Sequence, residues 1–420
     1  MARILPASLA LAAALMLARG VTAQTLVPTP APEADPIADA LAGPETKPDT
    51  KPAAPAIRVF SPAAIADLLE HEAQDPPPPA ASPARALAAS GKVALTPEGM
   101  AAVRFSPVST QSKAVDPVVL KAEILLDRAH APPGVIDGRY GSNFTKAIGV
   151  FETTHGLPVD GKLSQAVWDA LGGDTAGPVL GTYVITPEDA AKPFYPDLPT
   201  DYALLAKLPE SGYHSPAEML GERFHMDKRF LQALNPEADL GLAGTTIIVA
   251  EVSSLPLVSQ IARIDVDKAK GQVQAYDAQD NLVTAYPATI GSEELPSPSG
   301  SYAVRAVAWH PTYSYDPKKN FQQGTNTQRL TLPAGPNNPV GSVFIALTKP
   351  TFGIHGTPDP TKIDKTHSHG CVRLTNWNAE ELAHLVRPGI PVNFIDKPGA
   401  ESKPGDTLED VISSMDTPGR

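Results

Sequence analysis

Runs of proline and alanine between residues 24 and 115 constrain the fold of this chain more than any other feature of its sequence. The 420 residues contain 46 Pro, and stretches such as TPAPEADP, KPDTKPAAP and DPPPPAASPARA fall in this part. Pro-rich segments of this kind stay extended and have too little apolar surface to build a core. The sequence therefore predicts a disordered tether over residues 24–115 and separate domains elsewhere, rather than one globule.

The first 23 residues have the pattern of a secretory signal peptide. Arg3 precedes an apolar run over residues 4–17, and small residues end the segment at Ala23. Arg19 interrupts the run before it reaches the ~20 apolar residues that a membrane span requires. We therefore expect cleavage after Ala23 and an exported protein, periplasmic or associated with the cell wall, in preference to a membrane anchor.

The charge balance argues against a nucleic-acid partner. The chain has 34 basic and 46 acidic residues, a net charge of −12. Binding to nucleic acid depends on Lys and Arg that neutralise phosphates. No segment after the signal peptide is apolar enough for a transmembrane anchor, so none is predicted.

Residues 116–173 have the pattern of a small all-helical domain. Asp116 followed by Pro is a helix-start signal, and Phe144, Ala147, Ile148 and Phe151 recur at the spacing of one buried helix face. A third helix is expected around Trp168. Two Asp-Gly pairs, at 137–138 and 160–161, predict the turns between these helices.

Two further domains follow. Residues 180–253 predict a small α+β module in the order strand, helix, helix, strand, with helices over 216–224 and 227–234. From residue 258 to 396 the alternation of apolar and polar residues predicts a mostly-β domain with one short helix over 379–386. The polar residues 397–420 are expected to form a flexible tail.

The only cysteine, Cys371, lies in a cluster of histidines. Exported proteins normally form disulfides, so a lone Cys is better explained by chemistry. His355 lies 16 residues upstream, and an imidazole could take the thiol proton or hold the thiolate as an ion pair. Gly356 and Gly370 flank the pair, where free backbone N–H groups could meet a developing oxyanion.

Two other interpretations of this cluster remain open. Cys371 could be a buried small hydrophobe with histidines nearby by coincidence. Alternatively, His355, His367, His369 and Cys371 have the donor atoms for Zn²⁺, and the last three alternate so that an extended strand would place them on one face.

Three separated motifs resemble the L,D-transpeptidase (YkuD-type) catalytic domain. They are Gly-Pro-Asn-Asn-Pro-Val-Gly over 335–341, Gly-Ile-His-Gly-Thr over 353–357 and Ser-His-Gly-Cys-Val-Arg over 368–373. Upstream, 118–172 resembles the peptidoglycan-binding three-helix domain, and 180–253 resembles a degenerate LysM module without the usual Gly-Asp-Thr opening. The resemblance implies a multidomain protein with a mostly-β L,D-transpeptidase-like catalytic domain after these two modules.

The resemblance implies roles for the residues of these motifs. Cys371 would be the acylated nucleophile, His355 the general acid/base, and the Gly356 carbonyl would orient the imidazole. The backbone N–H groups of Gly370 and Cys371 would form the oxyanion site. No metal or organic cofactor is implied.

Three other residues of the signature have less settled roles. Ser368 and His369 would position the cysteine loop, with His369 counted among the catalytic residues and Ser368 among those that bind substrate. Arg373 would either bind a substrate carboxylate or brace the fold. The mixed aromatic and basic stretch over 309–330 is expected to be either a lid or a surface excursion.

The implied reaction is acyl transfer through a thioester. Cys371 would attack the bond between the third stem-peptide residue and D-Ala of peptidoglycan, release D-Ala and pass the acyl group to a neighbouring stem, which gives a 3→3 cross-link. Water as acceptor would make the enzyme an L,D-carboxypeptidase, and an envelope lipoprotein as acceptor would make it a lipoprotein-anchoring transpeptidase. An inactive peptidoglycan-binding scaffold is the alternative from another class.

Overall fold

The computed structural model describes residues 94–252, 255–291, 297–318, 320–365 and 370–396. The predicted signal peptide, residues 24–93 of the tether and the tail over 397–420 lie outside these residues. Ser368 and His369 of the signature lie outside them as well. None of the helices in the described ranges is long and apolar enough to cross a bilayer.

Helices occupy the first half of the described chain and reappear once near its end. They are α1 (Pro97–Ala101), α2 (Pro117–Arg128), α3 (Ser142–Thr154), α4 (Gln165–Ala170), α5 (Pro187–Ala190), α6 (Tyr202–Leu205), α7 (Pro216–Arg223), α8 (Lys228–Leu234), a 3₁₀ helix (Pro360–Lys362) and α9 (Asn376–Leu385).

Strands fall mainly in the C-terminal half. They are β1 (Leu180–Val184), β2 (Thr246–Ala250), β3 (Arg263–Asp267), β4 (Gln272–Tyr276), β5 (Leu282–Pro287), β6 (Thr289–Ile290), β7 (Gly300–Trp309), β8 (Tyr313–Tyr315), β9 (Leu330–Leu332), β10 (Val343–Leu347), β11 (Gly353–His355), β12 (Val372–Arg373) and β13 (Pro391–Ile395).

Helices α2 and α3 begin and pack as their sequence predicts. The Asp116 side chain accepts a hydrogen bond from the Val118 amide at 2.8 Å, and Pro117 occupies the first helical position. The predicted face of α3, with Phe144 and Phe151 among its members, is buried. The N-terminal part of the fold is therefore the helical domain expected from the sequence.

A buried glutamate holds each Asp-Gly turn of the helical domain. The Glu123 carboxylate oxygen Oε2 accepts hydrogen bonds from the amides of Asp137 and Gly138 at 3.2 and 2.7 Å. Glu152 Oε2 accepts from the amides of residues 160 and 161 at 3.0 and 2.8 Å. Burial raises the pKa of both carboxyl groups. The two Asp-Gly turns that repeat in the sequence are therefore also held by the same kind of contact, a glutamate carboxylate that accepts from both turn amides.

The packed part of the chain begins earlier than predicted. The tether was expected to extend to residue 115, but Thr96 caps the short helix α1, and Leu95, Met100 and Val103 are at most 5% exposed. The buried Lys121 ammonium of α2 donates to the Val103 carbonyl oxygen at 3.0 Å. A few apolar side chains suffice to dock this segment, although its surroundings are rich in Pro and Ala.

The middle module keeps the predicted order with two additions. β1 and β2 pair in antiparallel fashion, and α7 and α8 lie between them as expected. The short helices α5 and α6 also lie between the strands and were not predicted. The LysM resemblance of this module stays a prediction.

The C-terminal domain is built on a mixed sheet of nine strands. Their order is β5-β4-β3-β13-β7-β10-β11-β12-β6, with parallel pairing between β13 and β3 and between β11 and β12. Helix α9 packs against β10 and β11. This confirms the expected mostly-β domain with a single short α-helix in its described residues.

The upstream modules share one core instead of being separated by linkers. One apolar cluster contains Phe144 of the helical domain, Leu231 of the middle module and Ala285 of β5. The helical domain also contacts the catalytic domain, where the Lys146 ammonium and the Asp364 carboxylate form an ion pair at 2.7 Å. The described residues belong to one compact unit.

We expect Glu123→Ala to destabilise the helical domain. The substitution leaves the buried amides of Asp137 and Gly138 without an acceptor, and each such group costs about 1–3 kcal/mol. Urea unfolding should show a lower free energy of unfolding for this variant. Exposed Glu237 makes no comparable contact, so Glu237→Ala should unfold like the wild type; equal losses in both variants would contradict the role of Glu123.

Candidate active site

The parallel pairing of β11 and β12 places the two central residues of the candidate site on neighbouring strands. Ile354 pairs with Val372 and His355 with Arg373. Continuing this register by one residue places Cys371 beside Gly353. Because alternate residues of a strand share a face, a regular continuation of β12 by one residue would turn Cys371 to the face that carries His355 and Arg373.

His355 is held in one tautomer by its neighbour. Its Nδ1 lies 2.7 Å from the Gly356 carbonyl oxygen. A carbonyl oxygen can only accept, so Nδ1 carries the hydrogen and Nε2 is left as a proton acceptor. The Phe344 ring stacks on the imidazole with centroids 5.8 Å apart. The imidazole is thus oriented as a base with its Nε2 available.

The environment keeps both central groups neutral. His355 is 2% exposed, and burial together with the nearby Arg373 guanidinium lowers its pKa to about 3. Burial raises the pKa of the Cys371 thiol. The described arrangement is therefore a neutral thiol beside a neutral imidazole, which favours proton transfer during attack over a preformed ion pair.

Half-buried Cys371 is approached by backbone groups of the loop before β11. Its Sγ lies 3.7 Å from the Thr351 carbonyl oxygen, which accepts from the thiol. Thr351 adopts a positive φ of 67°, an uncommon conformation for a β-branched residue.

A buried serine supports the backbone immediately before the cysteine. The Ser297 hydroxyl donates to the Gly370 carbonyl oxygen at 2.6 Å. Gly370 has a φ of 106°, a conformation that favours glycine. The structure thus places Gly370 and Cys371 directly before β12, an inner strand of the sheet. Ser368 and the two candidate zinc ligands His367 and His369 lie outside the described residues.

Arg373 is a cation whose charge acts on both His355 and Cys371. It pairs with His355 on one side and with Thr289 of β6 on the other. Its charge adds to the effect of burial in lowering the pKa of His355, and it partly offsets the rise in pKa that burial causes at Cys371 and Tyr202. An arginine in this position can bind a carboxylate with two parallel hydrogen bonds.

A segment of the middle module covers this face of the sheet. Tyr202 of α6 packs edge-on against Tyr313, Tyr315 and Phe321, with ring centroids 6.1, 5.2 and 6.1 Å apart. These three partners belong to the stretch 309–330, whose strands β8 and β9 form a hairpin. Burial raises the pKa of Tyr202 to about 12. The hairpin and α6 together form an aromatic cover over the site.

A cavity of about 350 Å³ remains beneath this cover. Tyr202, Leu205 and His214 of the middle module line one side, and the catalytic domain supplies the other with Thr289, Asp359 and Arg373 among its residues. The cavity is thus shared by two modules that the sequence predicted as separate.

Sequence reasoning missed several residues of this region. Ser297 lies in the Pro-Ser-Pro-Ser-Gly loop and Asn376 at the start of α9, but neither has a local pattern that predicts its contact with the site. Tyr202 had no signal because α6 is only four residues long. The described residues hold no group of three or more His, Cys, Asp or Glu side chains that could bind a metal ion.

Comparisons with known proteins find two families in this chain. Residues 261–394 match the YkuD family, described as "L,D-transpeptidase catalytic domain", and residues 116–171 match the family described as "Putative peptidoglycan binding domain". These matches confirm both resemblances expected from the motifs.

Curated relatives carry matching names. The chain is 27% identical over 179 residues to "Putative L,D-transpeptidase YkuD" of Bacillus licheniformis, which covers 42% of this chain and 92% of the relative. It is 29% identical over 215 residues to "Probable L,D-transpeptidase YbiS" of Escherichia coli K12, with 49% and 69% covered.

A solved structure with wide coverage is an L,D-transpeptidase from Xylanimonas cellulosilytica. It is 15% identical, covers 70% of this chain and 100% of that chain, and has a TM-score of 0.29. At a TM-score this low it adds no weight, so the family assignment rests on the sequence matches.

The buried neutral His355 predicts a loss of stability in acid. The unfolded chain takes up a proton on this residue near its usual pKa of 6.5, whereas the folded chain does so only near 3. Between these values the free energy of unfolding should fall with decreasing pH by up to about 1.4 kcal/mol per pH unit. Urea unfolding at several pH values, for the wild type and His355→Gln, should show this component only in the wild type; parallel curves would contradict the assignment.

The aromatic cover predicts that Tyr202 limits access to Cys371. Tyr202→Ala removes the ring that holds α6 on the hairpin, so iodoacetamide should alkylate Cys371 several-fold faster. Intact mass reports this cleanly because the chain has one Cys. Leu204 lies in the same helix and is 52% exposed, so Leu204→Ala serves as the control; equal rates in the two variants would show that Tyr202 does not cover the site.

Proposed function

We propose that the protein is a cysteine-dependent L,D-transpeptidase acting on peptidoglycan stem peptides, because residues 261–394 match the L,D-transpeptidase catalytic domain and residues 116–171 match a peptidoglycan-binding domain. The observation that carries the proposal is the pairing of β11 with β12, which sets His355 beside Arg373 and lies one residue after Cys371. A nucleophile, a base and a carboxylate-binding cation in this arrangement suit acyl transfer from a peptide.

Cys371 attacks the carbonyl of the third stem residue and His355 Nε2 takes the thiol proton. The hydrogen bond from Nδ1 to the Gly356 carbonyl supports this role because it leaves Nε2 free. A thioester bond forms, the peptide bond to D-Ala breaks, and the imidazolium returns its proton to the leaving amine. The amides of Gly370 and Cys371 stabilise the oxyanion of the tetrahedral intermediate.

An amine from a neighbouring stem then resolves the acyl-enzyme. His355 accepts the amine proton as the new amide bond forms, and the thiolate leaves and is reprotonated. The product is a 3→3 cross-link. Arg373 binds a stem carboxylate, which is consistent with its place on the wall of the shared cavity.

The segments before the catalytic domain bring it to the cell wall. The peptidoglycan-binding domain over 116–171 and the LysM-like module hold the catalytic domain near its polymer. Export through the signal peptide over 1–23 places the protein in the periplasm or at the cell wall, where the lone Cys371 has no intramolecular disulfide partner.

Mass spectrometry of the intact protein tests the mechanism. Incubation with a disaccharide-tetrapeptide should give an adduct on Cys371 equal to the stem acyl group without D-Ala. Cross-linked dimers in the products indicate a stem acceptor, tripeptide alone indicates a carboxypeptidase, and addition of a lipoprotein C-terminal peptide tests a protein acceptor.

Cys371→Ala is the matched control for this experiment. It removes only the Sγ atom and should abolish the adduct and all turnover while the protein stays folded. Turnover by this variant would show that another group is the nucleophile. A wild type that binds peptidoglycan but forms neither adduct nor product would support the inactive scaffold.

A further inference from the structure

Glu222 of the middle module reaches into the catalytic domain. It lies on α7, and both of its carboxyl oxygens are 3.0 Å from the Nδ2 atom of Asn376, the first residue of α9. The Tyr213 hydroxyl donates to Glu222 Oε2 at 3.5 Å. No motif of the catalytic domain supplies this carboxyl group, because it comes from outside residues 261–394.

The Asn376 amide packs directly against the backbone of the candidate site. Its Oδ1 accepts a hydrogen bond from the Ser342 amide at 3.2 Å, and its Nδ2 also donates to the Pro336 carbonyl oxygen at 3.2 Å. A Cβ atom on Gly356 would lie 2.1 Å from Asn376 Oδ1, and one on Gly341 would lie 2.2 Å from it. The Asn376 amide therefore packs so closely against Gly341 and Gly356 that neither position can hold a side chain.

Gly356 is the residue whose carbonyl oxygen accepts from His355 Nδ1 at 2.7 Å. Its amide is fixed as well, since it donates to the Val343 carbonyl oxygen at 3.1 Å. A shift of Asn376 would thus move the peptide that orients the imidazole.

We propose that Glu222 is a positioning residue, which fixes the catalytic His355 through Asn376 and Gly356. This rests on the proposed function for the role of His355 as the base. The carboxyl group accepts from Nδ2 and so determines which way the Asn376 amide faces. With the amide reversed, its NH₂ group would face the Ser342 N–H, and a donor would meet a donor.

The charge around Glu222 makes this contact dependent on pH. Burial, together with Glu218 and Glu380, raises the pKa of Glu222 to about 8. Glu218 is held by Lys228 at 3.0 Å and by His214 at 2.9 Å.

Two other carboxylates and a phenol also lie near Glu222, and Asp227, Lys228 and Arg229 line the same cavity. On α9, Glu380 accepts from the Ser342 hydroxyl at 2.5 Å. Asp359 lines the same cavity as Glu222, and the phenol of Tyr213 donates to Glu222. Above about pH 8 the ionised Glu222 keeps the hydrogen bond from Asn376 but adds a buried negative charge beside Glu218 and Glu380, and their repulsion disfavours the packing of α7 against α9.

Three variants test the proposal. Glu222→Ala removes the acceptor, and kcat should fall by about tenfold, the effect of one buried hydrogen bond, with little change in KM. Glu222→Gln keeps an acceptor oxygen but cannot ionise, so kcat at pH 7 should stay close to that of the wild type. Glu237→Gln, an exposed carboxyl of the same module, should change nothing.

The pH profile separates positioning from general stability. In the wild type, kcat should decline as pH rises through about 8, and Glu222→Gln should lack this decline although it retains the same Cys371. The melting temperature of Glu222→Gln relative to the wild type should increase as pH rises from about 4.5, where the unfolded Glu222 ionises, to about 8.

A readout independent of turnover completes the design. The NMR signal of the hydrogen-bonded His355 Nδ1–H, assigned with His355→Gln, should broaden or shift in Glu222→Ala and stay in place in Glu222→Gln. If Glu222→Ala does not fold, the alkaline limb of Glu222→Gln decides the matter. An unchanged Nδ1–H signal in folded Glu222→Ala, or an alkaline decline equal to that of the wild type in Glu222→Gln, overturns the proposal. Absence of turnover in the wild type overturns the proposed function and leaves the NMR test valid.

Discussion

The parallel pairing of β11 with β12 is the constraint on which the candidate site depends. It sets His355, the last residue of β11, beside Arg373 of β12, the strand that follows Cys371 directly. A shift of one residue in this register would turn one of the two side chains to the opposite face of the sheet. The neighbouring pairs extend the same face outward, with Phe344 of β10 on one side and Thr289 of β6 on the other.

Burial is what gives this face its chemical character. Phe344 and the aromatic cover pack around the imidazole, and burial favours the neutral form of both the imidazole and the Cys371 thiol. Arg373 adds a positive potential without an ion pair to the imidazole. The two effects act in the same direction on His355, because both disfavour the imidazolium ion.

Much of this architecture follows from local sequence, and the remainder depends on contacts between distant segments. The cap at Asp116, the buried face of α3 and the spacing of His355 and Cys371 are local signals, and each predicts its element. The contact of Glu222 with Asn376 joins residues more than 150 positions apart, so no periodicity or turn chemistry can indicate it.

Composition misled at the start of the packed region for a similar reason. Proline and alanine predict a tether there, whereas Leu95, Met100 and Val103 find a core that is built by other segments. In the middle module, the order strand, helix, helix, strand was predicted correctly. The short helix α6, which carries Tyr202, was not predicted, because a helix of one turn has no periodicity to detect.

The backbone of Ser211 in the middle module is bound to the Gly-Pro-Asn-Asn-Pro motif of the catalytic domain. The Ser211 amide donates to the Ala334 carbonyl oxygen at 2.8 Å, its carbonyl accepts from the Asn337 amide at 2.9 Å, and Gly335 fits against it so closely that a Cβ atom would stand 2.2 Å from the Ser211 oxygen. These contacts hold the motif against a residue outside the catalytic domain. Exchange of the catalytic domain alone would remove these hydrogen bonds, and any residue other than glycine at position 335 would collide with the Ser211 backbone.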